Sequence, residues 1–341
     1  MSEVNYDLTI CTVSTDETEH INLNYALTKF LNKENKPRWI IVENEMHNSN
    51  RLKSNRENFT VLKGLDENLK KELRVPNLEH GIALNRSLHN IKTRFVLVID
   101  PDYFIIYPNW IEKILSYIQE NNISIMGVPW HPKWNMKYRY FPCNHCMFID
   151  TSKVDLKTID FRPTIACRDT VWDNQYLDNN SIINPVKSVI RTILGAGLTS
   201  FFRNIITRRG ENYWDDDTSS NIYLRYFNDE SHKVECLTPV FIPSIDWRIP
   251  VNFHFNRVIE YFLPERYCYL PKKKHTYTDK GFLDKKTQYI VWEEFLWQGH
   301  AFGFHVRGHP NRVERNKIKE VEVIKKNLEY LLKTKLMLTT I

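Results

Sequence analysis

The stretch RFVLVIDPDYFIIYPNW, Arg94 to Trp110, constrains this chain more than any other. Phe95 to Ile99 form an unbroken apolar pentad, the pattern of a strand buried on both faces inside a parallel sheet. The pentad runs directly into Asp100-Pro101-Asp102. In open α/β sheets, ligands bind beyond the carboxyl ends of the strands, so two acids at that point are candidates for binding rather than packing.

The surrounding sequence supports such a sheet. YDLTICTV reads as a first strand, TEHINLNYALTKFLNK as a helix ended by Pro37, and RWIIVEN as a second strand. NFTVLKG is a third strand, and HGIALNRSLHNI a helix feeding the apolar pentad. NWIEKILSYIQENN is amphipathic, with Trp110, Ile111, Ile114, Leu115 and Ile118 on one side, and ISIMGVPW is a further strand. Alternation of this kind predicts an α/β fold, a Rossmann-like and mostly parallel sheet flanked by helices.

Past residue 150 the pattern loosens. MFIDTSKVDLKTIDF suggests a strand and turn, RDTVWDNQYLDNN a short helix, YIVWEEFLW a helix, AFGFHVRG a strand, and Arg312 to about Lys335 a charged helix. No internal repeat or low-complexity linker appears. Residues 1–180 therefore read as the core of one continuous unit, and 181–341 as a helical and loop-rich elaboration of it.

Composition excludes several classes. Hydrophobic residues are 42% and charged residues 26% of 341, ordinary for a globular protein with a real core. A net charge of +6 without a basic arm favours anionic partners but not nucleic acid. Six cysteines in a chain of this length make no disulfide framework, and MSEVNYDLTICTV lacks a basic n-region, so a cytoplasmic location is expected. No run reaches the roughly 18 apolar residues of a membrane span.

Other strand ends carry polar groups to the same edge: Thr12 and Ser14 after the first strand, Glu43 and Asn44 after the second. Each alone could be a turn cap. Carboxylates one residue apart on a turn can share a ligand, and their oxygens suit Mg2+ or Mn2+, ions that also coordinate nucleotide phosphates.

Taken together, the IIVEN strand end, His80, Gly81, Ala83 and Asn85 in HGIALN, and the D-x-D of Asp100-Pro101-Asp102 resemble the family-2-like glycosyltransferases of the GT-A fold. The resemblance covers about the first 170 residues. It implies a donor site in which Thr12, Ser14, Glu43 and Asn44 contact base and ribose, with Gly81 and Asn85 contributing nearby. Asp100 would touch ribose or sugar, and Asp102 would bind Mn2+ or Mg2+. The family usually has Asp at the second strand's end, where this chain has Glu43-Asn44.

An inverting transferase needs a base for the acceptor hydroxyl. CRDTVWDN supplies Asp169, with Asp173 four residues on, although Asp169 also suits a helix cap; Asp215, Asp216 and Asp217 are rivals. By the same resemblance a late histidine would be a second metal ligand, and GHAFGFHVRGHP offers His300, His305 and His309, with His305 ending an apolar run. Arg307 and Arg312 could pair with a diphosphate. Cys143-Asn144-His145-Cys146 has no second paired motif, and its cysteines read as flanking a packed strand rather than as a zinc site.

The function expected is transfer of a sugar from a nucleotide-diphosphate donor to a glycan, lipid-linked or protein acceptor. A nucleotidyltransferase is disfavoured by the lack of a Gly-rich phosphate loop near the first strand. A noncatalytic module binding nucleotide or an anionic surface stays open, because residues 184–210 combine helically spaced apolar residues with Lys187, Arg191, Arg203, Arg208 and Arg209. That segment would hold the protein at an anionic membrane from the cytoplasmic side, or pack on the core.

Overall fold

A computed structural model describes residues 7–15, 17–44, 58–65, 77–131, 140–163, 218–227, 229–241, 278, 280–283, 292–306 and 317–334. Four parallel strands start the main sheet: β1 (Leu8–Ser14), β2 (Arg38–Glu43), β3 (Phe59–Lys63) and β4 (Phe95–Ile99). β7 (Pro142–Asp150) lies antiparallel to β4, β6 (Ile125–Pro129) antiparallel to β7, and β8 (Val234–Cys236) parallel to β6. The spatial order is β3-β2-β1-β4-β7-β6-β8, so β7 alone opposes the rest. The mostly parallel α/β architecture is the one the sequence predicts.

Both sheet faces are covered, which is why the central strands carry apolar residues without alternation. Leu8, Ile10, Leu97 and Ile99 enter one core with α1 (Thr18–Leu31), α3 (Trp110–Glu120) and α5 (Lys317–Thr334). Cys11, Val13, Val96 and Val98 enter the other with α2 (Leu78–Leu88) and α4 (Ser220–Tyr226). The five apolar positions predicted for α3 are all buried.

A second, antiparallel sheet has the order β5-β11-β10-β9: β5 (Tyr103–Ile105), β9 (Thr238–Val240), β10 (Trp292–Trp297) and β11 (His300–Val306). The turn at residues 100–102 is therefore where the chain passes from one sheet to the other. Three bonds fix its backbone. The Tyr103 N–H donates to the Asp100 carbonyl (3.1 Å), Val306 N–H to the Asp102 carbonyl (2.8 Å), and the Asn24 amide to the Pro101 carbonyl (2.8 Å).

One expectation fails. YIVWEEFLW, expected to be helical, contains β10. A register irregularity between Phe295 and Leu296 breaks the strand's two-residue period and leaves both residues buried with Trp292. Buried residues at i, i+3 and i+4 imitate a helix in sequence. β7 also starts earlier than expected, taking in the Cys143–Cys146 motif. The boundary at residue 180 lies outside the described residues, yet β8 pairs with β6, and β11 with β5, so both halves of the chain build both sheets.

Candidate active site and metal centre

Asp102 and His305 are 203 residues apart, and the pairing of β5 with β11 brings them together. His305 Nε2 lies 3.1 Å from Asp102 Oδ1, and its Nδ1 lies 2.9 Å from Glu293 Oε2 on the adjacent strand. Glu293 is fully buried and directly opposite His305 in the β10–β11 register. Burial by itself would lower the pKa of His305, but the Asp102 and Glu293 carboxylates overcome it and raise it to about 9.

Asp100 faces a different set of partners. The Asn144 amide donates to its Oδ1 at 3.1 Å, His80 Nε2 lies 3.5 Å from Oδ1, and His145 Nε2 lies 3.6 Å from Oδ2. Burial pushes the Asp100 pKa up; the His80 bond and the charges of His145 and His80 outweigh this and leave it below the ordinary carboxylate value. The His145 ring stacks on His305 at 4.2 Å and meets the edge of Trp130 at 4.7 Å. Two carboxylates, three imidazoles and a buried orienting acid thus meet at the carboxyl end of β4. This donor set suits a divalent cation: carboxylates balance its charge, and Glu293 on Nδ1 leaves Nε2 of His305 to act as the ligand.

No family model matches the chain, and no curated protein matches it. Solved structures resemble it in part. TarS residues 1–349 of S. aureus are 14% identical over 45% of this chain and 49% of that one, with a TM-score of 0.31. The galactosyltransferase LgtC, solved with donor and acceptor sugar analogues, is 14% identical over 50% of this chain and 65% of that one, TM-score 0.32. The mannosyltransferase PcManGT of Pyrobaculum calidifontis, solved with GDP-Man and Mn2+, is 10% identical over 44% and 46%, TM-score 0.30. The chain spans about half the length of the TarS fragment and of PcManGT, and under two thirds of LgtC.

The other strand ends lie along the same sheet edge. Ser14 pairs in register with Glu43, and the Asn44 N–H donates to the Ser14 carbonyl at 2.7 Å. Thr12 is buried, and its hydroxyl has no hydrogen-bond partner among the described residues. The Asn44 side chain ties three elements together: its oxygen accepts from Leu65 N–H (3.2 Å) and its amide reaches the Glu79 carbonyl in α2 (3.5 Å).

In α2 the HGIALN motif divides its work. His80 turns to Asp100. Gly81 lies so close to the segment before residue 164 that an added Cβ would stand 2.6 Å from the Phe161 carbonyl oxygen. Asn85 binds that same segment, donating to Asp160 Oδ1 (2.7 Å) and accepting from Phe161 N–H (2.8 Å). Asp169, Asp173, Asp215 to Asp217, Arg307, His309, Arg312 and the basic segment 184–210 lie outside the described residues.

Four members of the cluster are given no site role by the sequence reading: His80, which it names only within HGIALN, and Asn144, His145 and Glu293. A signal for two of them was present in CNHC. Its cysteines are free and buried, and burial holds the Cys146 thiol well above its ordinary pKa. The polar pair between them is what reaches Asp100.

Proposed function

We propose that this chain is a metal-dependent glycosyltransferase of the GT-A fold that moves a sugar from a nucleotide-diphosphate donor to a glycan, lipid-linked or protein acceptor with inversion. The observation that carries this reading is the meeting of Asp100, Asp102, His145 and His305 at the carboxyl edge of a mostly parallel sheet, where β4 passes into the second sheet. The strand order, with one antiparallel member beyond β4, supports it.

Asp102 and His305 would hold Mn2+ or Mg2+, which when bound neutralises charge on the departing diphosphate as a Lewis acid. Asp100, steadied by Asn144 and His80, is placed to accept a hydrogen bond from a ribose or sugar hydroxyl. Thr12, Ser14, Glu43 and Asn44 would receive the base and ribose, the buried Thr12 hydroxyl offering an unused donor and acceptor. Gly81 and Asn85 would hold the 159–162 segment beside the donor. Asp169 is our candidate for the base that deprotonates the acceptor hydroxyl, with Asp173 its alternate. Residues 184–210 would place the protein on the cytoplasmic face of an anionic membrane.

The test is turnover of a panel of UDP-, GDP- and other nucleotide sugars, followed as nucleotide diphosphate release with Mn2+ or Mg2+ and again with chelator. Metal-dependent release from one donor class is expected. No release and no binding of any donor would refute the proposal.

A further inference from the structure

We propose that His145 joins Asp102 and His305 as a metal ligand together with Oδ2 of Asp100, whose Oδ1 stays with the donor hydroxyl, and that this second imidazole makes the site select first-row transition ions such as Mn2+ over Mg2+. The inference rests on the metal-dependent reading above and deepens it. Donor atoms of Asp100, His145 and His305 all lie within 4.8 Å of one another. Donors held about 2.1 Å from one ion stand about 3.0 Å apart at right angles and about 4.2 Å apart when opposite. The 3.6 Å between His145 Nε2 and Asp100 Oδ2 falls between those values, and the 3.1 Å between His305 Nε2 and Asp102 Oδ1 matches the first. The 4.8 Å bound on the triad stands little above the roughly 4.2 Å of opposite donors.

The ring of His145 is also held in place. Trp130 packs against it in a T-shaped contact and His305 stacks on it at an interplanar angle of 28°. Two stacked imidazoles both approached by carboxylates through Nε2 gain a common purpose if they donate to one cation, whereas two imidazolium ions at that separation would repel. Mg2+ prefers oxygen ligands and retains its waters, so each nitrogen in the set shifts preference toward Mn2+, Co2+ and Zn2+. Glu293 strengthens that shift by fixing His305 through Nδ1.

The experiment uses the full-length protein stripped with chelator, with Mn2+ as the probe, followed by EPR titration and by nitrogen couplings in pulsed EPR. Mn2+ should bind without nucleotide, at least about tenfold tighter than Mg2+ in competition, and should show couplings from two imidazoles. His145→Gln should leave one coupling and weaken Mn2+ by about tenfold or more. Should His145→Gln not fold, His305→Gln supplies the check, made in a His80→Gln background because His80 also faces Asp100, so that the one coupling left must come from His145. Both couplings persisting in His145→Gln, only one in the wild type, or none in His305→Gln would overturn the inference. Mn2+ bound only together with UDP or GDP, through a single nitrogen, would overturn it while the metal-dependent reading stands. No Mn2+ binding under either condition would remove both.

Discussion

Gly81→Ala sets two physical effects against each other with opposite signs. In an open helix interior, replacing glycine with alanine stabilises by about 1 kcal/mol. Here the new Cβ would stand 2.6 Å from the Phe161 oxygen, 2.8 Å from the Arg162 Cα and 2.9 Å from the Phe161 carbonyl carbon. All three are backbone atoms, and ordinary contact begins about 0.5–0.8 Å further out, so no rotamer change relieves the clash. Withdrawal of the 159–162 segment is opposed by the two Asn85 hydrogen bonds at 2.7 and 2.8 Å. Overpacking of this kind costs about 1–3 kcal/mol, and the backbone contacts put it at the upper end. After the helix gain, a net loss of about 1–2 kcal/mol is expected, a fall in Tm of about 1.5–3 °C for a chain of 341 residues. Calorimetry or thermal circular dichroism measures it. The double variant with Asn85→Ala should lose less than the sum of the two, because the freed segment can then move. A rise in Tm for Gly81→Ala would refute the close approach of α2 to that segment.

Asp102→Asn should lower metal-dependent turnover at least about a hundredfold with the fold intact, since the backbone carbonyl of residue 102, not its side chain, receives the Val306 N–H; wild-type activity in a folded variant would contradict the metal assignment. Asp169→Ala should lower turnover about a hundredfold or more with donor affinity retained, and an unchanged rate would move the base to Asp173 or to Asp215–Asp217. Asp160, held down to about 2 by Arg162 and Asn85 against the pull of burial, contributes stability that is complete above about pH 4 and is lost as pH falls through about 2. With Arg162 partly exposed, that contribution is about 1 kcal/mol, and urea midpoints across this window should flatten in Asp160→Asn. Liposomes with anionic lipid should float the wild type and release it when Arg203, Arg208 and Arg209 become Glu; failure of the intact protein to float at low salt would rule out membrane binding by 184–210.

The sequence by itself determined the parallel half of the sheet, because a strand buried on both faces has to be apolar throughout, and Phe95 to Ile99 leave no other reading. It also placed Thr12, Ser14, Glu43, Asn44 and Asp100 on one edge, since in parallel strands every carboxyl end lies on the same side. The single-turn spacing of Asp100 and Asp102 was legible for the same local reason. What only the tertiary structure decided is which distant groups face those acids. The helical spacing of Trp292, Phe295 and Leu296 concealed a bulged strand, and with it the opposition of Glu293 to His305. His145 was hidden because a strand's period gives no sign of which partner its polar residue will meet. The pairing of β5 with β11 and of β4 with β7 crosses long stretches of chain, and such register is set by packing that no local pattern encodes.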